Sequence, residues 1–172
     1  MALIEIAALS ATLPAQGRLL GLDVGTRTIG LATSDVLRSL ATPLQTIARA
    51  KFTKDAAQLA EIVRRHEVVA LIVGLPLNMD GSEGPRCQSV RQFVANLMAL
   101  DLELGPRMPR RFADLPVVLQ DERLSTAAVE RTMIETYDMS RQKRDARIDA
   151  GAAAWILQAV LDRLDRLRRS ET

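Results

Sequence analysis

The chain has 172 residues, 48% hydrophobic and 26% charged, a size and balance that suit one compact domain with its own core. Its 23 basic and 21 acidic residues leave a formal charge of only +2, so affinity for a polyanion must come from local basic clusters rather than from net charge. A single cysteine, Cys87, excludes an intrachain disulfide and a four-thiolate zinc site and fits a reducing, cytoplasmic setting.

Residues 1–17 contain Glu5 and Pro14, lack a basic leader and alternate poorly. They read as a flexible, loosely attached extension, neither signal peptide nor membrane span, ahead of one domain over 18–169. From Leu19 to Ser34 the pattern is strand, glycine-centred turn, strand, with Asp23 where the first strand stops. Gly25 suits a positive φ and Thr26 can bond the turn backbone, although a plain hairpin with a capping Asp would look the same. Ala41–Ile47, interrupted by Pro43, predicts an edge strand that completes an antiparallel meander. Ala56, Leu59, Ala60, Ile62 and Val63 recur at helical spacing within Thr53–Arg65, and His66 closes that helix.

Val68–Val73 is a continuous apolar run entered from a helix, which predicts a parallel strand buried on both faces. The Gly74–Pro85 loop that follows is dense in Gly, Pro and short polar residues, and Asn78, Asp80 and Gly81 mark it as a site loop. Val90, Phe93, Val94 and Leu97 at i, i+3, i+4 and i+7 predict a helix over Arg86–Leu100. Asp101–Pro116, with three prolines and Arg107, Arg110 and Arg111, reads as a mobile basic loop or a plain solvated excursion. Val117–Gln120 forms a short strand that runs straight into Asp121, Glu122 and Arg123. Glu135–Arg147 carries Arg141, Lys143, Arg144 and Arg147 without an apolar period and is expected to stay flexible until an anion binds. Ile148–Arg168 is a long amphipathic helix with Asp149 in its first turn and small residues, Ala150 to Ala153, that would let it pack closely on the sheet.

Acids therefore stand at separate element ends: Asp23, the pair Asp121 and Glu122, and Asp149. Phosphodiester hydrolysis needs charge stabilised on the attacking and leaving oxygens, and two hard divalent cations held by carboxylates supply it. Asp23 would bridge the two ions, with Glu122 and Asp149 each completing one shell. The ligand type points to Mg2+ or Mn2+ rather than zinc. Strand alternation puts Glu122 on the face of Gln120 and Val118, and Asp121 on the apolar face of Leu119 and Val117, where it can bond the following turn or Arg123.

Four ordered motifs carry a resemblance: Gly21-Leu22-Asp23-Val24-Gly25-Thr26, Val73-Gly74-Leu75-Pro76-Leu77-Asn78-Met79-Asp80-Gly81-Ser82, Asp121-Glu122-Arg123-Leu124-Ser125-Thr126 and Ile148-Asp149-Ala150-Gly151-Ala152-Ala153. Over about Arg18 to Leu161 the chain resembles the YqgF family of Holliday junction resolvases, also described as pre-16S rRNA nucleases. The resemblance implies an α/β, RNase H-like fold with a five-stranded mixed sheet and helices on both faces. It also implies a metal-dependent nuclease that matures the 5′ end of 16S rRNA, with Asp23, Glu122 and Asp149 as its acids. The 1–17 extension and the 101–116 loop fall outside the family pattern. Two other classes stay in view. An actin-like or sugar-kinase ATPase shares the Asp-x-Gly-Thr turn but needs two such domains, and a non-catalytic nucleic-acid-binding module would use the basic clusters alone. Aromatic residues make up only 3%, which disfavours extensive base stacking. Neither RNA against DNA nor monomer against homodimer follows from the residues.

Overall fold

The structure is a computed structural model that describes residues 3–104, 111–123 and 141–170, the side chains of 141–147 excepted. Strands β1 (Arg18–Val24), β2 (Thr28–Ser34) and β3 (Ala41–Ala48) form the antiparallel meander, and β4 (Val68–Leu75) and β5 (Val117–Asp121) join it in parallel with β1. The order is β3-β2-β1-β4-β5, a five-stranded mixed sheet. Strand β4 is buried along nearly its whole length, as an unbroken apolar run requires. Pro43 sits in β3, at the sheet's edge, beside a register shift in β2 between Leu31 and Ala32.

Each face of the sheet carries its own core. Helices α2 (Phe52–Arg65) and α3 (Pro85–Ala99) cover one face, with Leu59, Val63, Val90 and Phe93 packed on Leu20, Leu22, Leu71 and Val73. Helix α4 (Arg141–Ser170) covers the other, with Ala153, Ile156, Leu157 and Val160 packed on Leu19, Ala32, Ile72 and Val118. No helix among the described residues is long and apolar enough to cross a membrane.

Three expectations change. The extension is not loose: Leu3 bridges Val117 at the outer edge of β5, Ile4 N–H donates to the Val117 carbonyl (3.0 Å), and Ile6–Thr12 forms helix α1. Its Ile6 and Leu9 lie one helical turn apart, a period that a search for alternation passes over, and they join the α4-side core, Leu9 with no exposed surface. Truncating Leu9 to Ala should therefore destabilise the protein by about 2–5 kcal/mol, read as a fall in the urea midpoint. The 101–116 segment is anchored where it is described. Leu104, Phe112 and Leu115 are buried in the α3-side core, residues 112–114 form a 3-10 turn, and Phe112 N–H donates to Leu102 O (2.8 Å). Arg107 and Arg110 lie outside the described residues. Finally, Arg141–Arg147, expected to be irregular, forms the first turns of α4, because Arg, Gln, Lys and Ala are good helix formers even without an apolar stripe. Residues 135–140 lie outside the described residues.

His66 closes α2, as its position after Arg65 suggested. Burial, and then the charges of Arg65 and Arg18, hold its pKa below the ordinary imidazole value. The folded chain thus takes up this proton less readily than the unfolded one. Stability from this source is full above about pH 6.5 and declines as the pH falls through the folded pKa. His66 is the only histidine. The urea midpoint should fall from pH 7.5 to 5.5, and His66→Gln should flatten that dependence.

Candidate active site

The parallel strands β1, β4 and β5 end at one edge of the sheet, and β2, running the other way, begins there. Asp23 is the penultimate residue of β1, opposite Gly30 of β2. Glu122 follows β5 directly, and its N–H extends the ladder to Leu75 O (3.3 Å). Asp149 lies in α4 and accepts a hydrogen bond from Thr28 Oγ1 at 2.7 Å.

All three face the α4 side. Along β1, Leu19 and Gly21 meet α4, so two residues further Asp23 points the same way; on β5, Val118 does, and Glu122 continues its alternation. Asp121 takes the opposite face, as strand alternation requires of a neighbour. Its carboxylate accepts from Arg123 N–H (2.9 Å), Nε (3.0 Å) and Nη2 (2.7 Å), so the guanidinium holds it below the usual carboxylate range.

Glycines on the sheet make room for these groups. A Cβ on Gly30 would overlap the Asp149 carbonyl, and one on Gly74 would overlap Glu122 Oε1 and come within 2.6 Å of Ile156. A Cβ on Gly21 would lie 2.8 Å from both the Ala153 carbonyl and Leu157 Cβ. The close approach of α4 is thus cut into the strands. Gly151, one of the small helix residues expected to provide it, would meet nothing if it carried a side chain.

The predicted turn residues behave differently from expectation. Gly25 does not use a positive φ. It is small because a Cβ there would stand 3.0 Å from the Thr28 carbonyl, which accepts its N–H. Thr26 is exposed at the tip, and the hydroxyl that reaches the site is that of Thr28. Sequence reasoning also missed Arg49, which donates to Gly25 O (2.8 Å), lies 3.8 Å from the buried Asp55 carboxylate and covers the Phe93 ring at 5.4 Å. These contacts steady the turn after Asp23, and no local pattern announces them.

In the loop after β4, Asn78 N–H donates to Ser82 O and Gly81 N–H to Asn78 O, while Asp80 accepts from Ser82 N–H and Oγ. Those Ser82 bonds hold the Asp80 carboxyl below its ordinary pKa. Gly81 adopts φ +88°, which makes glycine the natural residue there. The loop's polar side chains are thus spent on its own turn. Among the predicted basic residues, Arg111 pairs with Asp101 (3.1 Å) on the surface. Arg141, Lys143, Arg144 and Arg147 lie on the first turns of α4.

Among the described residues no three Asp, Glu, His or Cys side chains stand together as a group able to hold a metal ion. The donor chemistry nevertheless fits a hard cation. The residues at this edge offer carboxylate and hydroxyl oxygens, His66 lies at the far end of the sheet, and the Cys87 thiol donates to Pro76 O. Gly74 leaves the space that the Glu122 carboxylate occupies.

Comparison with known proteins agrees with this architecture. A family model described as RuvX, Holliday junction resolvase, matches residues 17–163. A protein of Rhodospirillum centenum is 53% identical over 95% of this chain and 83% of its own length. One of Methylocella silvestris is 52% identical over 96% and 94%, and one of Roseobacter denitrificans 50% identical over 99% and 98%. All three carry the name "Putative pre-16S rRNA nuclease". Among solved structures, RuvC of T. thermophilus in complex with a Holliday junction substrate aligns with a TM-score of 0.51 at 17% identity, over 86% of this chain and 96% of that one. That likeness identifies the fold as RNase H-like. With the family model and half-identical relatives both spanning most of its length, the chain belongs to the RuvX (YqgF) family.

Proposed function

We propose that this protein is a divalent-metal-dependent nuclease that processes the 5′ end of precursor 16S rRNA in the cytoplasm. The observation that carries the reading is the delivery of Asp23, Glu122 and Asp149, from β1, the end of β5 and α4, to one edge and one face of the sheet. These three would hold Mg2+ or Mn2+, with Asp23 shared between two ions. When bound, the ions would offset the charge that develops on the attacking and leaving oxygens. The chain's own contribution is orientation. Thr28 fixes the Asp149 carboxylate through its hydroxyl proton, and Gly74 leaves Glu122 its place. Arg107, Arg110, Arg111, Arg141, Lys143, Arg144 and Arg147 would hold the phosphate backbone, and with few aromatics recognition would rest on charge and shape. The names of the relatives support rRNA as substrate.

The test is side-by-side cleavage of precursor 16S rRNA, an unrelated single-stranded RNA and a four-way DNA junction, with Mg2+, with Mn2+ and in excess chelator. Ion-dependent shortening of the precursor alone supports the reading; full cleavage in chelator overturns the metal role. The family's description favours one second reading, a Holliday junction resolvase, which predicts paired nicks in the DNA junction and an untouched precursor. A purely binding module predicts no cleavage and no saturable metal binding.

Neutralising Arg141, Lys143, Arg144 and Arg147 together should weaken RNA binding irrespective of sequence. The slope of log affinity against log salt should fall by about 0.7 on single strands for every phosphate that the protein ceases to neutralise. Filter binding between 50 and 200 mM salt reads this. An unchanged slope would make the cluster a solvated helix end.

A further inference from the structure

Arg123 joins two loops that leave the sheet side by side. Through Nε and Nη2 it grips the Asp121 carboxylate at 3.0 and 2.7 Å, and its own N–H donates to the same group at 2.9 Å. Its Nη1 stands only 3.0 Å from where a Cβ on Gly81 would lie, so the guanidinium is laid against the backbone of the Asn78–Ser82 turn. The Asp80 carboxylate of that turn adds attraction to the same cation. The turn itself is closed by Asn78 Nδ2 donating to Ser82 Oγ (2.8 Å) and by Ser82 N–H donating to Asp80 Oδ1 (2.9 Å). Glu122 stands between Asp121 and Arg123 in the chain but on the opposite side, over Gly74.

We propose that Arg123 is a positioning residue for Glu122: by clamping the end of β5 to the turn after β4, it fixes where the Glu122 carboxylate sits at the sheet edge. The geometry explains why an arginine suits the position. Asp121 is met by a fork of two donors while a third nitrogen faces the turn, an arrangement that a lysine ammonium does not reproduce. It also explains why residue 81 is glycine beyond its φ of +88°, since a side chain there would push the guanidinium away. Because the Arg123 and Asp121 side chains keep 29% and 28% of their surface exposed, the pair adds little to global stability, and its effect is local.

The inference rests on the nuclease reading for its activity arm, so the test has a second arm free of it. In metal-free protein, Arg123→Ala and Arg123→Lys should both speed amide hydrogen exchange across residues 76–84 and at 121–123, with the melting temperature nearly unchanged. Mn2+ titration by calorimetry should show weaker binding, by about 10-fold or more, in line with the loss of an outer-shell support. In cleavage, both variants should lose about 10- to 100-fold in kcat with KM for RNA retained. If wild-type protein cleaves no nucleic acid while the exchange and Mn2+ results hold, the nuclease reading fails and the clamp stands. Unchanged exchange in Arg123→Ala overturns the clamp. A loss confined to KM, restored by Arg123→Lys and accompanied by a shallower salt slope, overturns it too, and makes Arg123 a phosphate contact.

Discussion

Asp23→Asn is expected to abolish cleavage while leaving the fold nearly intact. The substitution keeps the volume and removes only the charge, at a half-buried position where β1 stops. Loss of an outer-shell partner at a metal site already costs about 10- to 100-fold, so a ligand itself should cost no less than about 100-fold. Glu122→Gln should behave alike, for it removes a carboxylate from the same face. Asp121→Asn should differ: on the other face of β5 it removes no ligand and only loosens the bond to Arg123, so activity should fall by about tenfold with the melting temperature nearly unchanged. Single-turnover cleavage of each variant, with circular dichroism as the check on folding, decides the matter. Full turnover in Asp23→Asn would remove it from the mechanism, and loss in Asp121→Asn with activity kept in Glu122→Gln would exchange the two roles.

A second large effect is expected from two glycines, with opposite signatures. At Gly30 an added methyl would overlap the carbonyl of Asp149, which is helix backbone and has no rotamer to escape by. Gly30→Ala should therefore lift α4 from β2 and cost about 3 kcal/mol, the upper part of the usual range for overpacking, seen as a lowered urea midpoint and reduced activity together. At Gly74 the atoms in the way are Glu122 Oε1 and Ile156 Cδ1, the far ends of flexible side chains. These can rotate aside. Gly74→Ala should keep most of the stability yet lose about as much cleavage as Glu122→Gln, since the carboxylate is displaced. Equal stability loss in the two variants would mean that Gly74 is merely a packing glycine.

Much of the fold was legible because it rests on short-range periodicity. The amphipathic spacing of Ala56 to Val63 and of Val90 to Leu97 marked α2 and α3, and the unbroken Val68–Val73 run marked the central strand. These patterns report which face of an element meets a core, which is a local property. Alternation even separated Glu122 from Asp121, because two neighbours on a strand must point to opposite faces. Periodicity misled where the wrong period was sought, as in α1, where anchors were sparse, as at Phe112 and Leu115 between prolines, and where a helix runs on beyond its apolar stripe, as at Arg141–Arg147.

The approach between elements was decided by tertiary structure alone. Thr28 and Asp149 are 121 residues apart, and nothing near either position announces their bond. The same holds for Arg49, whose partners Gly25, Asp55 and Phe93 come from three elements, and for Arg123, which meets Gly81 only because β4 and β5 end together. Small residues on the helix were correctly linked to close packing, and Ala150, Ala152 and Ala153 are buried there, Gly151 alone standing clear of any neighbour. The matching room in the strands, at Gly21, Gly30 and Gly74, was not foreseen, because a helix lies over a strand at a depth set by the side chains beneath it, and which positions lie beneath is known only once register and topology are.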